Sequence, residues 1–162
     1  MSVQTVKAHL DRFGRGGDVM EFEISSATVA LAAEAVGVIP ARIAKTLSFA
    51  KEDDCILVVA AGDAKIDNAR FKSQFGIKAR MLTPEDALRL TGHAVGGVCP
   101  FAIENERTGV YLDVSLRRFH TVFPAAGSAN SAIELTCDEL EQYSGCRAWI
   151  DVCKGWREDE QG

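Results

Sequence analysis

Histidine, proline and paired cysteines are scarce in this chain of 162 residues. Its three histidines, His9, His93 and His120, are too scattered to suggest a zinc site by spacing. The five cysteines, Cys55, Cys99, Cys137, Cys146 and Cys153, contain no Cys-x-x-Cys pair, so the spacings that mark zinc ribbons and thioredoxin-like redox sites are missing. The N-terminus, Met-Ser-Val-Gln-Thr-Val-Lys, lacks the basic-then-apolar pattern of a secretory signal. Reduced thiols in a cytoplasmic protein are therefore expected. No apolar run comes near the roughly 20 residues that a membrane-spanning helix needs. Basic residues are not in surplus: 18 Lys and Arg against 23 Asp and Glu leave a net charge of −5, which argues weakly against a nucleic-acid partner.

What is present is ordinary for a globular protein: 47% hydrophobic and 25% charged residues. The length suits one domain with its own core, and there are no repeats, linkers or low-complexity tracts. Residues 1–162 are read as a single domain. The charge is unevenly spread: residues 134–162 carry a balance of −5, and residues 1–133 are neutral. Lys65, Arg70, Lys72, Lys78 and Arg80 outnumber Asp63 and Asp67 in their stretch, which leaves open a solvated helix face or a local basic face.

Val3, Val6, Leu10 and Phe13 recur at helical spacing after Ser2, a candidate N-cap, and the helix should close at Gly14. Met20, Phe22 and Ile24 alternate as in a half-buried strand. Ser25-Ser26 precedes an alanine-rich helix from Thr28 to Val36 that ends at Gly37. Pro40 opens a helical turn. Thr46–Ala50 and Cys55–Ala60, joined by a polar turn, form a hairpin whose second strand is buried on both faces. Helices follow over Asp67–Phe75 and from Thr83-Pro84-Glu85-Asp86 to Gly92, then strands at Val110–Val114 and Thr121–Phe123. Thr136 and Glu139 have capping-box spacing, Ala148–Val152 is a last strand, and the charged tail after Gly155 should fray. Interleaved helices and strands with a hairpin give a mixed α/β domain.

Three features could converge on one pocket. His93-Ala-Val-Gly-Gly-Val-Cys-Pro100 is a loop that side chains hardly fill, so its backbone N–H groups can face a ligand carbonyl or oxyanion. Lys45 stands at the mouth of a strand, and Ala125–Asn130 is a second loop of small residues. Taken singly, each has an ordinary explanation: a tight turn, a surface lysine, a polar contact of His93 at a helix C-terminus. Cys99 in the loop is either a packed small residue or a thiol that loop amides could activate.

Three phrases, Ile43-Ala-Lys-Thr-Leu47, Ala61-Gly-Asp-Ala-Lys-Ile-Asp67 and Thr91-Gly-His-Ala-Val-Gly-Gly-Val-Cys-Pro-Phe101, closely resemble the YbaK/ProX family, free-standing relatives of the editing insertion of bacterial prolyl-tRNA synthetase. The resemblance is strongest over residues 20–142. It implies a mixed, largely antiparallel, partly barrel-like sheet with flanking helices. It also implies hydrolysis of the ester of a mischarged tRNA that carries a small non-cognate amino acid, with tRNA(Pro) or a related tRNA as carrier. Lys45 would grip the tRNA 3′ end and orient the ester, and the loop Gly96, Gly97, Val98, Cys99 and Pro100 would hold the amino-acid carbonyl. Thr28, Thr46, His93 and Ser128 are candidates for lining the amino-acid pocket. The chain offers no Ser-His-Asp set, so cleavage would rest on positioning and oxyanion stabilisation, with no metal and no cofactor. The implied partner is the tRNA 3′ end, with an aminoacyl-tRNA synthetase as a second candidate and neither membrane nor DNA. The alternative is a non-catalytic accessory domain that binds tRNA or a synthetase. The YbaK branch has an acidic residue near the phrase Ile133-Glu134-Leu135, where this chain has Ala132, so a cysteinyl-tRNA preference is not carried over.

Overall fold

A long hairpin organises the molecule. In a computed structural model that describes residues 3–94 and 96–157, strand β2 (Ile43–Lys51) turns through Glu52 and Asp53 into antiparallel β3 (Asp54–Ala61). Every residue of β3 from Cys55 to Ala61 is buried, as its continuous apolar run requires. Outside the hairpin lie β5 (Gly109–Asp113), parallel to β3, and β9 (Ala148–Ile150), parallel to β5. On the other side, β6 (Thr121–Pro124) runs parallel to β2 and carries antiparallel β8 (Leu135–Thr136). The six-stranded order β8-β6-β2-β3-β5-β9 is thus mixed, and the sheet curls into half a barrel.

Five helices surround the sheet among the described residues. They are α1 (Val3–Asp11), α2 (Val29–Val36), α3 (Asn68–Phe75), α4 (Pro84–Thr91) and α5 (Cys137–Ser144). Capping chemistry sets their bounds. Thr28, Asp67, Thr83 and Thr136 each accept hydrogen bonds from first-turn amides, and the Thr136–Glu139 box is complete in both directions. The main core gathers Leu10, Leu57, Val58, Val59, Phe71, Phe101, Leu112 and Leu140. A smaller one joins α2, through Ala32 and Ala33, to Ile43 and Phe123, and so seats α2 over one end of β2. No helix among the described residues is long and apolar enough to cross a membrane.

Several element bounds differ from the sequence reading. The strand expected at Met20, Phe22 and Ile24 shrinks to β1 (Met20–Glu21), paired with β7 (Ser131–Ala132). Ile24 is 54% exposed; its stretch runs on as a loop, and Phe22 is tied to Asn130 on both its N–H and its carbonyl. The cap of α2 is Thr28 itself, not Ser25 or Ser26. Asp113 shortens two strands at once. Its Oδ2 accepts from Ser115 N–H at 2.9 Å, turning the chain at Val114 into a short helix, and its Oδ1 accepts from Val152 N–H at 2.9 Å, ending β9 at Ile150. A ribbon of β4 (Lys65–Ile66) and β10 (Cys153–Lys154) was not foreseen. Ser2, Val95 and residues 158–162, where an N-cap, part of the glycine loop and a frayed tail were expected, lie outside the described residues.

Candidate functional site

A cleft of about 480 Å³ opens between α2, the β2 strand and the start of α4. From the residues singled out in the sequence it collects Thr28, Lys45, Thr46, Gly96 and Val98. Three segments far apart in the chain therefore meet, within the usual size range of small-molecule sites.

Lys45 leaves β2 toward the end of β3. Its Nζ donates to the carbonyl of Ala64 and, at 3.4 Å, to that of Gly62. Burial pushes its pKa down, and Cys153 and Asp63 push partly back. Gly62 has no room for a side chain, since a Cβ there would lie 2.1 Å from Pro40 O and 2.7 Å from Val29 Cγ1. That close approach brings the carbonyl holding Lys45 under the first turn of α2.

The glycine loop is positioned by contact with the second small-residue loop. A Cβ on Gly97 would fall 2.8 Å from Ser128 Cα and 2.9 Å from Ser128 N, so the two backbones touch. Gly96 has φ +92°, a conformation that other residues rarely adopt. The Gly97 N–H is already donated to Ala94 O at 2.9 Å, so this amide of the loop is spent internally.

The remaining candidates sit behind the cleft or beside it; Gly97, Cys99, Pro100, His93 and Ser128 do not line it. His93 is 1% exposed, and its Nε2 lies 2.8 Å from Phe101 O. A carbonyl only accepts, so Nε2 carries the proton and Nδ1 is bare; Nδ1 is buried without a partner. Burial lowers the His93 pKa, partly opposed by the Phe101 carbonyl. Cys99 is fully buried, with Sγ 3.6 Å from His93 Nε2, and burial pushes its pKa up to about 12. A thiol so protonated is a packing group, not a nucleophile. Ser128 turns away, its hydroxyl donating to Asn130 Oδ1 at 2.8 Å and lying 2.7 Å from Ser131 Oγ.

Sequence reasoning passed over several residues of the cleft wall: Ser26, Ser48, Met81, Leu82, Phe123 and Ser131. Ser25-Ser26 drew notice only as a helix start, and no local signal places residues 81–84 against β2. Among the described residues no Asp or Glu lines the cleft, and Lys45 is its one charged lining residue.

The family model of the aminoacyl-tRNA editing domain matches residues 25–143. Protein YwhH of Bacillus subtilis (strain 168) is 59% identical over 157 residues, covering 96% of this chain and 99% of its own. The proline–tRNA ligase of Thermotoga maritima is 27% identical over 93 residues, which are 57% of this chain but 16% of the ligase. A solved structure described as a candidate trans-editing enzyme for prolyl tRNA synthetase superposes with a TM-score of 0.83 at 31% identity, over 94% of this chain and 97% of that one. With most of its length matched, including both β2 and the glycine loop, the chain belongs to the aminoacyl-tRNA editing domain family.

Proposed function

We propose that this protein is a trans-acting deacylase that hydrolyses the ester between a small non-cognate amino acid and the 3′ end of a tRNA, with tRNA(Pro) the first carrier to test. The observation that carries the reading is the shared cleft, in which Lys45, Gly96 and Val98 line one space of small-ligand size. Lys45, anchored on the Gly62 and Ala64 carbonyls, supplies a fixed positive charge for the ester or the terminal phosphate. The loop backbone supplies fixed dipoles where charge develops on the attacked carbonyl. With no carboxylate among the described residues that line the cleft, the proton of the attacking water is relayed through the vicinal ribose hydroxyl to the departing ribose oxygen, so that the ester C–O bond breaks to give the free amino acid and the tRNA hydroxyl. The aminoacyl ester is already activated, so positioning carries most of the rate. The size of the cleft and its small polar and apolar residues suit a small amino acid.

The test is a panel of tRNAs, tRNA(Pro) among them, mischarged with small amino acids. The native protein should release amino acid from at least one, and Lys45→Ala should lower that rate by about 100-fold or more. Absence of turnover across the panel, with tRNA still bound, would replace the enzyme with a binding accessory domain.

A further inference from the structure

Strand β2 is flanked by β3 along its whole length, yet its other edge is covered only at its two ends. Ile43 and Ala44 pair with Phe123 and Pro124 of β6. Beyond Thr46, Ser48 O accepts from Leu82 N–H at 3.1 Å, and Ala50 N–H donates to Arg80 O at 2.8 Å. Lys51 and Asp54 close a two-residue turn, so the odd-numbered residues of β2 exchange hydrogen bonds with β3. The even-numbered ones point their N–H and C=O outward. Thr46 is the even residue between Ala44 and Ser48, and no strand lies against it among the described residues. Its outer edge faces the cleft that it lines.

Two further groups on the cleft wall lack partners. Ser26 is 8% exposed, and its hydroxyl oxygen and that of Thr46 are both buried without a hydrogen-bond partner among the described residues. Buried polar atoms left so are exceptional and call for a ligand or water. The Ser26 backbone is held in place, its N–H donating to Ala129 O at 2.6 Å.

An aminoacyl ester presents an amino group and a carbonyl on either side of one Cα, as a residue in a strand does. We infer that the aminoacyl group docks on Thr46 as a one-residue extension of the sheet, its α-amino group donating to Thr46 O and to the Ser26 hydroxyl while Thr46 N–H donates to its carbonyl. This inference rests on the deacylase reading and deepens it: the substrates are esters with a free α-amino group, and N-acylated aminoacyl-tRNA and peptidyl-tRNA are refused. Main-chain hydrogen bonds of this kind hold extended ligands at sheet edges. The carbonyl oxygen has two lone pairs, so Thr46 N–H and a loop amide can serve it together. Lys45 projects from the face of β2 opposite to the Thr46 side chain, which keeps its charge from the amino group.

The probes are 3′-deoxy-3′-(alanylamino)adenosine, which resists hydrolysis, and its propionyl analogue, which lacks the amine. Calorimetric or NMR titration of the native protein should find the amine form bound about ten-fold more tightly or better, with the Thr46 amide resonance shifting on binding. Ser26→Ala should shrink that ratio while leaving propionyl affinity unchanged. Equal affinity for the two probes overturns the inference, as does failure of the amine form to bind at millimolar concentration. Equal weakening of both probes by Ser26→Ala would reduce Ser26 to a structural role and also overturn it. Turnover of mischarged tRNA is measured in parallel. Turnover without discrimination between the probes removes the subsite alone, and discrimination without turnover removes the deacylase reading alone.

Discussion

Substituting Gly97 with alanine tests whether contact between the two small-residue loops holds the site together. The new Cβ would stand 2.8 Å from Ser128 Cα and 2.9 Å from Ser128 N. Carbon atoms settle at about 3.5 Å or more, so the loops must part by roughly 0.7 Å. No flexible side chain is available to yield, because the atoms met belong to backbone. Overpacking of this kind costs about 1–3 kcal/mol, a fall of roughly 2–12 °C in Tm for a chain of this size. Displacing the neighbouring Gly96 and Val98 by most of an ångström should lower kcat/KM for deacylation by about ten- to a hundred-fold. The matched control is Gly76→Ala, at the C-terminus of α3, where φ is +75° and nothing lies within 4 Å of the added Cβ. It should lose about 1 kcal/mol to backbone strain and keep full activity. Denaturant unfolding and steady-state deacylation of both variants decide the matter. A Gly97→Ala protein as stable and active as Gly76→Ala would refute the loop-to-loop contact and the positioning argument built on it.

Two further outcomes follow from the buried groups behind the cleft. The folded-state pKa of His93 lies below its ordinary value because of burial, so the unfolded chain binds the proton more readily. Stability from this group is complete above about pH 6.5 and is lost as the pH falls through the lower folded value. Asp67 and Glu139 are also depressed, but their losses begin only in the ordinary carboxylate range, below about pH 5. Unfolding free energy measured between pH 7 and 5 should therefore decline in the native protein and flatten in His93→Gln; an unchanged slope would contradict the bare, buried Nδ1. Cys99, with its pKa pushed up to about 12, should resist iodoacetamide at pH 8 in the folded protein and react once the chain is unfolded. Rapid alkylation of Cys99 in the native state, seen by peptide mass spectrometry, would overturn its assignment as a packing residue.

Much of the scaffold was legible because its signals are local. Caps at Asp67, Thr83 and Thr136 and the left-handed glycines at 37, 76 and 92 fix helix ends within a few residues of sequence. The hairpin of β2 and β3 announces itself by alternation, a polar turn and an apolar run. The phrases around Lys45 and Gly96 were enough to suggest the family. What stayed hidden depends on partners distant in the chain. Asp113 cuts short two strands by accepting from amides two and 39 residues away. Met81 and Leu82 reach the cleft through a bridge to β2 that no local pattern encodes.

The candidate site divides in the same way. Residue chemistry marked the Gly-Gly-x-x-Pro turn as a loop rich in free backbone, while Lys45, an ordinary surface lysine when taken singly, gained its role from the family resemblance. Only the tertiary structure decided which of the neighbouring groups face the cleft. His93 and Cys99, both within the loop, turn inward, where the Phe101 carbonyl meets His93 Nε2 and Cys99 Sγ. Ser26, undistinguished in sequence, becomes a buried hydroxyl on the cleft wall. Thr46 gains its open edge because β6 and the segment at 80–82 each cover one end of β2 and stop short of its middle. Sequence determines what a residue can bond; where its donors and acceptors are left unpaired is settled by which distant segments pack against it.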